Sequence, residues 1–105
     1  MQRMGQVIGL KPDQLEAYRA LHTDVETNWP EVLAASRASH IRNYTIFRLG
    51  NLLFASFEYH GDDYAADMAK LAANPQVQAY WQLVNPLQTP LAERQPGEHW
   101  AMMEE

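Results

Sequence analysis

The sequence predicts an α+β fold with the order strand, helices, hairpin, helices, strand. Three observations predict it. Ile41–Leu49 and Leu52–Tyr59 are rich in β-branched and aromatic residues, and Gly50-Asn51 joins them as a tight turn. Apolar residues recur at helical spacing on both sides of that hairpin. A short segment of strand character stands near each end of the chain. The order is βαββαβ, the ferredoxin-like plan, with helices covering one face of the sheet.

Residues 4–10 form the first strand, with Met4, Ile8 and Leu10 on one side and Val7 on the other. Lys11-Pro12-Asp13 breaks it and starts a helix in which Leu15, Tyr18, Leu21 and His22 recur. Residues 23–28 read as a polar loop. Pro30, after Trp29, suits the first turn of a second helix. Its apolar face is Val32 and Leu33 with the small Ala34, Ala35 and Ala38. After the hairpin, His60-Gly61-Asp62-Asp63 ends the strand and caps a helix with Tyr64, Met68 and Leu71 as its inner stripe. Asn74-Pro75 stops that helix and starts another, where Val77, Trp81 and Val84 keep period. That spacing makes Trp81 the more core-like of the adjacent Tyr80-Trp81 and turns Tyr80 toward a cavity. Residues 85–97 hold Pro86, Pro90, Pro96 and Gly97, so they read as an irregular crossing, and residues 99–103 as a last strand.

The hairpin strand alternates Leu53, Ala55, Phe57 and Tyr59 against Leu52 and Phe54, so both sheet faces carry apolar side chains. Helices cover one face; the other needs a second cover, and another copy of the chain supplies it. A homodimer is therefore expected. At 105 residues the chain is one domain, 1–105, whose modest core oligomerisation would support. A net charge of −5 with scattered Lys and Arg argues against a nucleic-acid binder. No apolar run is long enough for a membrane span, and the first residues lack the apolar core of a signal peptide. The absence of cysteine excludes disulfides and thiol catalysis and fits a cytoplasmic protein.

Tyr18 and His22, four apart, share a helix face, and Trp29-Pro30-Glu31 follows closely. His22 is the best acid–base candidate, since a histidine titrates near neutrality. Alone it reads equally as a half-buried helix-end residue, Trp29 as a hydrophobic staple and Tyr44 as a cross-strand aromatic. His22, His40, His60 and His99 lie in different elements and form no metal-ligand pattern, so no metal is expected. No GxSxG motif or Gly-rich phosphate loop is present. What remains is acid–base chemistry on a polar organic molecule such as a sugar. Aromatic rings would pack on its C–H faces while Tyr, Asn and His bond its hydroxyls.

Over nearly its whole length the chain resembles the L-rhamnose mutarotase family. The resemblance rests on Tyr18-x-x-x-His22, Trp29-Pro30-Glu31, Arg42-Asn43-Tyr44, Asn51-Leu52-Leu53-Phe54-Ala55, Tyr80-Trp81 and the tail Trp100-Ala101-Met102-Met103-Glu104-Glu105. It implies a dimeric α/β-barrel version of the ferredoxin-like fold, no cofactor, and interconversion of the α and β anomers of a 6-deoxy sugar. It gives His22 the proton-donor role and Tyr18, Tyr44, Tyr80 and Trp81 the sugar-binding roles. Two features depart from the family pattern. The segment between His22 and Trp29 is longer, and position 80 is Tyr where relatives commonly carry Trp.

The implied enzyme is a cofactor-free isomerase acting on a monosaccharide, with L-fucose as the runner-up substrate. The alternatives on the same dimeric fold are a monooxygenase and a non-catalytic small-molecule binding module.

Overall fold

The computed structural model describes residues 1–105. The elements are β1 (Gln2–Leu10), α1 (Leu15–Thr23), α2 (Val25–Asn28), α3 (Pro30–Ala38), β2 (Ile41–Leu49), β3 (Leu52–Tyr59), α4 (Tyr64–Ala73), α5 (Pro75–Val84), β4 (Gln88–Thr89) and β5 (Ala101–Met103). A single 3-10 turn at Asn85–Leu87 leads into β4. The strands run β2-β3-β1-β4, all antiparallel, the ferredoxin-like order.

The fourth strand position is split. Gln88–Thr89 pairs with Gly9 and Leu10, and Ala101–Met103 pairs with Gly5 to Val7. The sequence reading found the second piece and took the first for loop. Two residues carry no periodicity of their own, and Pro90 ends the pairing because it has no N–H to donate. Gly9 is needed opposite it: a Cβ there would lie 2.8 Å from the Thr89 carbonyl oxygen.

Residues 25–28, expected as loop, form the short helix α2. Its backbone is satisfied locally, with Asn28 N–H on Asp24 O at 2.8 Å and Trp29 N–H on Val25 O at 2.9 Å, while Val25 packs on the core. Pro30 opens α3, and Leu33, assigned to the apolar face, is instead exposed while Val32 is buried. Asp63 caps α4 by accepting the Ala66 N–H at 3.1 Å. Asn74 caps α5 by accepting from Gln76 and Val77 ahead of the Pro75 first turn. Tyr59 ties β3 to α4: its hydroxyl donates to Asp67 and accepts the Asp63 N–H at 3.1 Å.

The core lies between helices and sheet. Ile8 and Leu10 of β1 meet Leu53, Phe57 and the helix residues Tyr18, Val32, Leu71, Val77, Tyr80 and Val84. The inner stripe of α5 is thus Val77, Tyr80 and Val84, and half-buried Trp81 sits at its edge. This corrects the expected helix phase. Residues i, i+3 and i+7 fill the stripe as well as i, i+4 and i+7, and the sequence pattern fits both. The opposite sheet face is open. Phe47 lies across from Phe54 and Leu49 across from Leu52, and Phe47 is 62% and Leu49 72% exposed.

A bulge in β2 decides which side chains reach which face. Arg42 pairs with Glu58, but the next regular pair is Thr45 with Ser56, so Asn43 and Tyr44 together oppose Phe57. Asn43 absorbs the extra residue at φ 54, in the left-handed region that Asn tolerates, and donates to Glu58 Oε2 at 3.1 Å. Tyr44 then stacks on Phe57, a helix-side residue, with centroids 5.4 Å apart.

Candidate active site

Four of the five residues singled out from the sequence converge where α1 and α5 cross the sheet. Tyr18 and His22, one turn apart on α1, have ring centroids 4.2 Å apart at 30°. Tyr80 of α5 approaches His22 edge-on at 6.4 Å and Trp29 at 5.5 Å. Tyr44 enters from β2 by way of the bulge, near enough that its phenolate would oppose ionisation of Tyr18, and the Tyr80 phenolate its own. Tyr18 and Tyr80 are buried, His22 and Trp29 half-buried, and Tyr44 47% exposed, so the cluster meets solvent at His22, Trp29 and Tyr44.

Trp81 does not join them. One position further on a helix turns a side chain by about 100°, and Trp81 instead borders an open concavity with Gln78, Gln82, Asn85 and Pro86. That concavity, about 610 Å³, holds no acid–base pair. A second, about 310 Å³, lies on the open sheet face by Phe47, Phe54 and Met103. Neither concavity holds His22 or the phenols around it, and for locating the site the chemistry is the better guide.

Several polar groups in the cluster have defined partners. His22 Nδ1 lies 3.0 Å from the Tyr18 carbonyl oxygen. A carbonyl can only accept, so Nδ1 carries the proton and Nε2 of the neutral ring keeps its lone pair. Burial lowers the His22 pKa below 6.5, against a smaller upward pull from that bond. Tyr80 donates to the Leu21 carbonyl at 3.3 Å, and burial pushes its hydroxyl up to about 12.

Two glutamines complete the site, and the sequence reading named neither. Gln6 of β1 donates to the Tyr44 hydroxyl at 3.0 Å. Enclosure pushes the Tyr44 hydroxyl up to about 12 while the Gln6 amide pulls the other way. Gln88 of β4, only 3% exposed, accepts His99 Nε2 at 2.8 Å through its Oε1. Burial raises the Tyr18 pKa strongly, and the Gln88 side chain pulls it the other way. Gln6 was legible in principle. It shares strand parity with Met4 and Ile8, so a polar residue stood on the covered face of β1. Gln88 carried no such pattern.

No three His, Asp or Glu side chains converge in a way that would hold a metal ion. No helix is long and apolar enough to cross a membrane. The arrangement can give and take protons beside a polar ring held among aromatic faces.

Residues 3–105 match the model of the L-rhamnose mutarotase family. The L-fucose mutarotase of Xanthomonas campestris pv. campestris is 36% identical over 104 residues, which is 95% of this chain and 82% of that protein. The L-rhamnose mutarotase of Oceanobacillus iheyensis is 28% identical over 89 residues, 83% of this chain and 80% of that protein. The crystal structure of the L-rhamnose mutarotase of Formosa agariphila superposes with TM-score 0.73 at 24% identity, covering 100% of this chain and 95% of that one. An antibiotic biosynthesis monooxygenase shares the fold with TM-score 0.59 at 16% identity over 100% of this chain and 98% of that one. At such identities structural likeness speaks for the fold alone.

Proposed function

Because this chain belongs to the L-rhamnose mutarotase family, a family of isomerases, we propose that it interconverts the α and β anomers of L-rhamnose by acid–base ring opening. The observation that carries this reading is the contact between Tyr18 and His22. In an aldopyranose the anomeric hydroxyl and the ring oxygen are bonded to the same carbon. The groups that take one proton and give the other must therefore be neighbours, as these two are. Neutral His22 accepts the anomeric proton at Nε2, the C1–O5 bond opens to the aldehyde, and the ring oxygen is protonated. Rotation about C1–C2 presents the other carbonyl face, and closure returns both protons. His22 thus begins as acceptor and becomes donor on closure, a reversal of the order that the family resemblance alone implied. Tyr44, Tyr80 and Trp29 offer faces and hydroxyls to the sugar. The step is acid–base throughout, and a positioned group contributes roughly 10²–10⁴-fold.

The relative that is 36% identical carries the L-fucose name, so the substrate test is a panel. Saturation-transfer NMR on L-rhamnose and L-fucose should show exchange above the solvent rate, faster for L-rhamnose. Binding without exchange would turn the reading into that of a sugar-binding module, and a preference for L-fucose would replace the substrate.

The proposed assembly is a homodimer. Phe47, Leu49, Leu52 and Met103 are exposed on or beside the helix-free face, and a second copy would cover them. Light scattering at micromolar concentration should give twice the 12.0 kDa chain mass; a monomer would remove the proposed dimer.

A further inference from the structure

The covered side of β1 carries one amide among apolar neighbours. Gln6 stands between Met4 and Ile8, and the residues level with it across the sheet are Ala55 and Ile46. A half-buried polar group in such a row costs free energy unless it finds partners. Gln6 makes one side-chain hydrogen bond within the protein, from Nε2 to the Tyr44 hydroxyl at 3.0 Å. Its Oε1 meets no protein group. No side-chain polar atom is sealed away without a partner, so Oε1 opens onto accessible space beside Tyr44. The Tyr44 oxygen accepts from Gln6 and its own proton is bound to no other residue. An acceptor, Gln6 Oε1, and a donor, the Tyr44 O–H, therefore stand side by side. Two neighbouring hydroxyls of a sugar, each able to give and to accept, fit such a pair.

We infer that Gln6 is a specificity-determining residue that, paired with Tyr44, reads the configuration at C4 of the sugar. The inference rests on the mutarotase reading above and adds the carbon at which the substrate is chosen. Tyr18 and His22 belong to α1 and serve the anomeric hydroxyl and the ring oxygen, at C1 and O5. In a pyranose ring C4 lies across from C1, and C3 across from O5. Gln6 and Tyr44 belong to β1 and β2, in the sheet that the helices cover, so they meet the C3–C4 edge from the other side. In L-rhamnose the hydroxyls at C3 and C4 are both equatorial and present one donor and one acceptor to a flat amide and a phenol. Inversion at C4 turns that hydroxyl axial and leaves Gln6 Oε1 without its bond. A site built to bond a hydroxyl discriminates most strongly at the position where the bond is lost.

The test is anomer-exchange NMR on L-rhamnose, its C4 epimer 6-deoxy-L-talose and its C2 epimer 6-deoxy-L-glucose. The parent should prefer L-rhamnose to the C4 epimer in kcat/KM. Gln6→Leu keeps the bulk of the side chain and removes the amide. It should raise KM for L-rhamnose about tenfold with kcat little changed, since the lost bond holds ground and transition states alike. The preference over the C4 epimer should fall toward one while the preference over the C2 epimer stays. Selectivity kept at C4, or lost at C2 instead, would overturn the inference. In a Tyr44→Phe background Gln6→Leu should still raise KM; no further effect there would make Gln6 only a prop for Tyr44 and overturn the sugar contact. Circular dichroism checks folding. Gln6→Asn, whose amide is withdrawn by one carbon, is the second probe and should lose the same selectivity. Titration calorimetry reads the preference without turnover. A parent that binds with the C4 preference but exchanges no sugar would sink the mutarotase reading and leave the role of Gln6 standing. A parent that binds none of the three would overturn both.

Discussion

Replacing Asn43 by valine would force a β-branched side chain into a backbone with φ 54. The left-handed region costs an L-residue with a Cβ about 1–2 kcal/mol, and β-branched residues sit at the upper end. The change also removes the Asn43–Glu58 hydrogen bond of 3.1 Å. That bond is exposed, so its share is about 0.5 kcal/mol, the low end for a protein hydrogen bond. The expected loss is about 2 kcal/mol. With a urea slope of about 1–3 kcal/mol per molar, the unfolding midpoint should fall by roughly 1 M. Asn43→Gly is the control: it keeps the conformation at no steric cost and loses only the side-chain bond, roughly 0.5 kcal/mol. The valine chain has one way to relieve the strain, which is to lose the bulge. That would return Asn43 to the helix side and turn Tyr44 to the open face. Sugar affinity measured by titration calorimetry should therefore drop for Asn43→Val and hold for Asn43→Gly. Equal stability of the two variants, with sugar binding unchanged in both, would refute the claim that this bulge aims Tyr44.

The pH dependence follows from two histidines whose pKa values burial lowers below 6.5, His22 and His99. As pH falls the unfolded chain protonates them first and so binds more protons than the folded one; urea stability should decline with acid below about pH 6.5. Exchange should be flat above that range and fall as acid blocks His22 Nε2, so a rate that rises toward pH 5 would contradict the acceptor role. His22→Ala should fold normally by circular dichroism and lose most catalysed exchange; parent-like rates would make His22 structural. On α5, Tyr80→Ala should cost about 3–5 kcal/mol as a large-to-small core change, whereas Tyr80→Phe should cost no more than about 1 kcal/mol. Trp81→Ala, at the edge of the stripe, should cost less than Tyr80→Ala in urea unfolding; the reverse order would restore the helix phase expected from sequence.

The fold was legible because its signals are local and redundant. The hairpin bounds Ile41–Leu49 and Leu52–Tyr59 follow from β-branched content and from a Gly50 that adopts φ 60. Helix starts at Pro30 and at Asn74-Pro75 follow from caps whose chemistry needs no tertiary context. What failed were segments whose structure depends on partners far away. Gln88–Thr89 is a strand only because Gly9 and Leu10 lie beside it, and α2 is held by Val25 reaching the core. Trp81 failed for another reason: two stripes fitted the same spacing, and only the packing against α1 and the sheet chose between them.

The site divides along the same line. Tyr18 and His22 could be paired from sequence because one helical turn joins them. Tyr44 could be named from a motif, but its direction could not be derived, since strict alternation from Ile41 places Tyr44 on the opposite face. The bulge at Asn43 reverses that parity. The same reversal sends Phe47 and Leu49 outward, where a second copy of the chain would bury them. One residue in the left-handed region therefore sets two properties together, an aromatic wall of Tyr44 on Phe57 on the helix side and an apolar face on the far side of the sheet. A register slip that removed Tyr44 from the site would also bring Phe47 and Leu49 under the helices. Loss of sugar binding and loss of the proposed dimer should accordingly appear in the same Asn43→Val protein. If light scattering found that variant dimeric while calorimetry found no sugar binding, the two faces would not be coupled through the bulge.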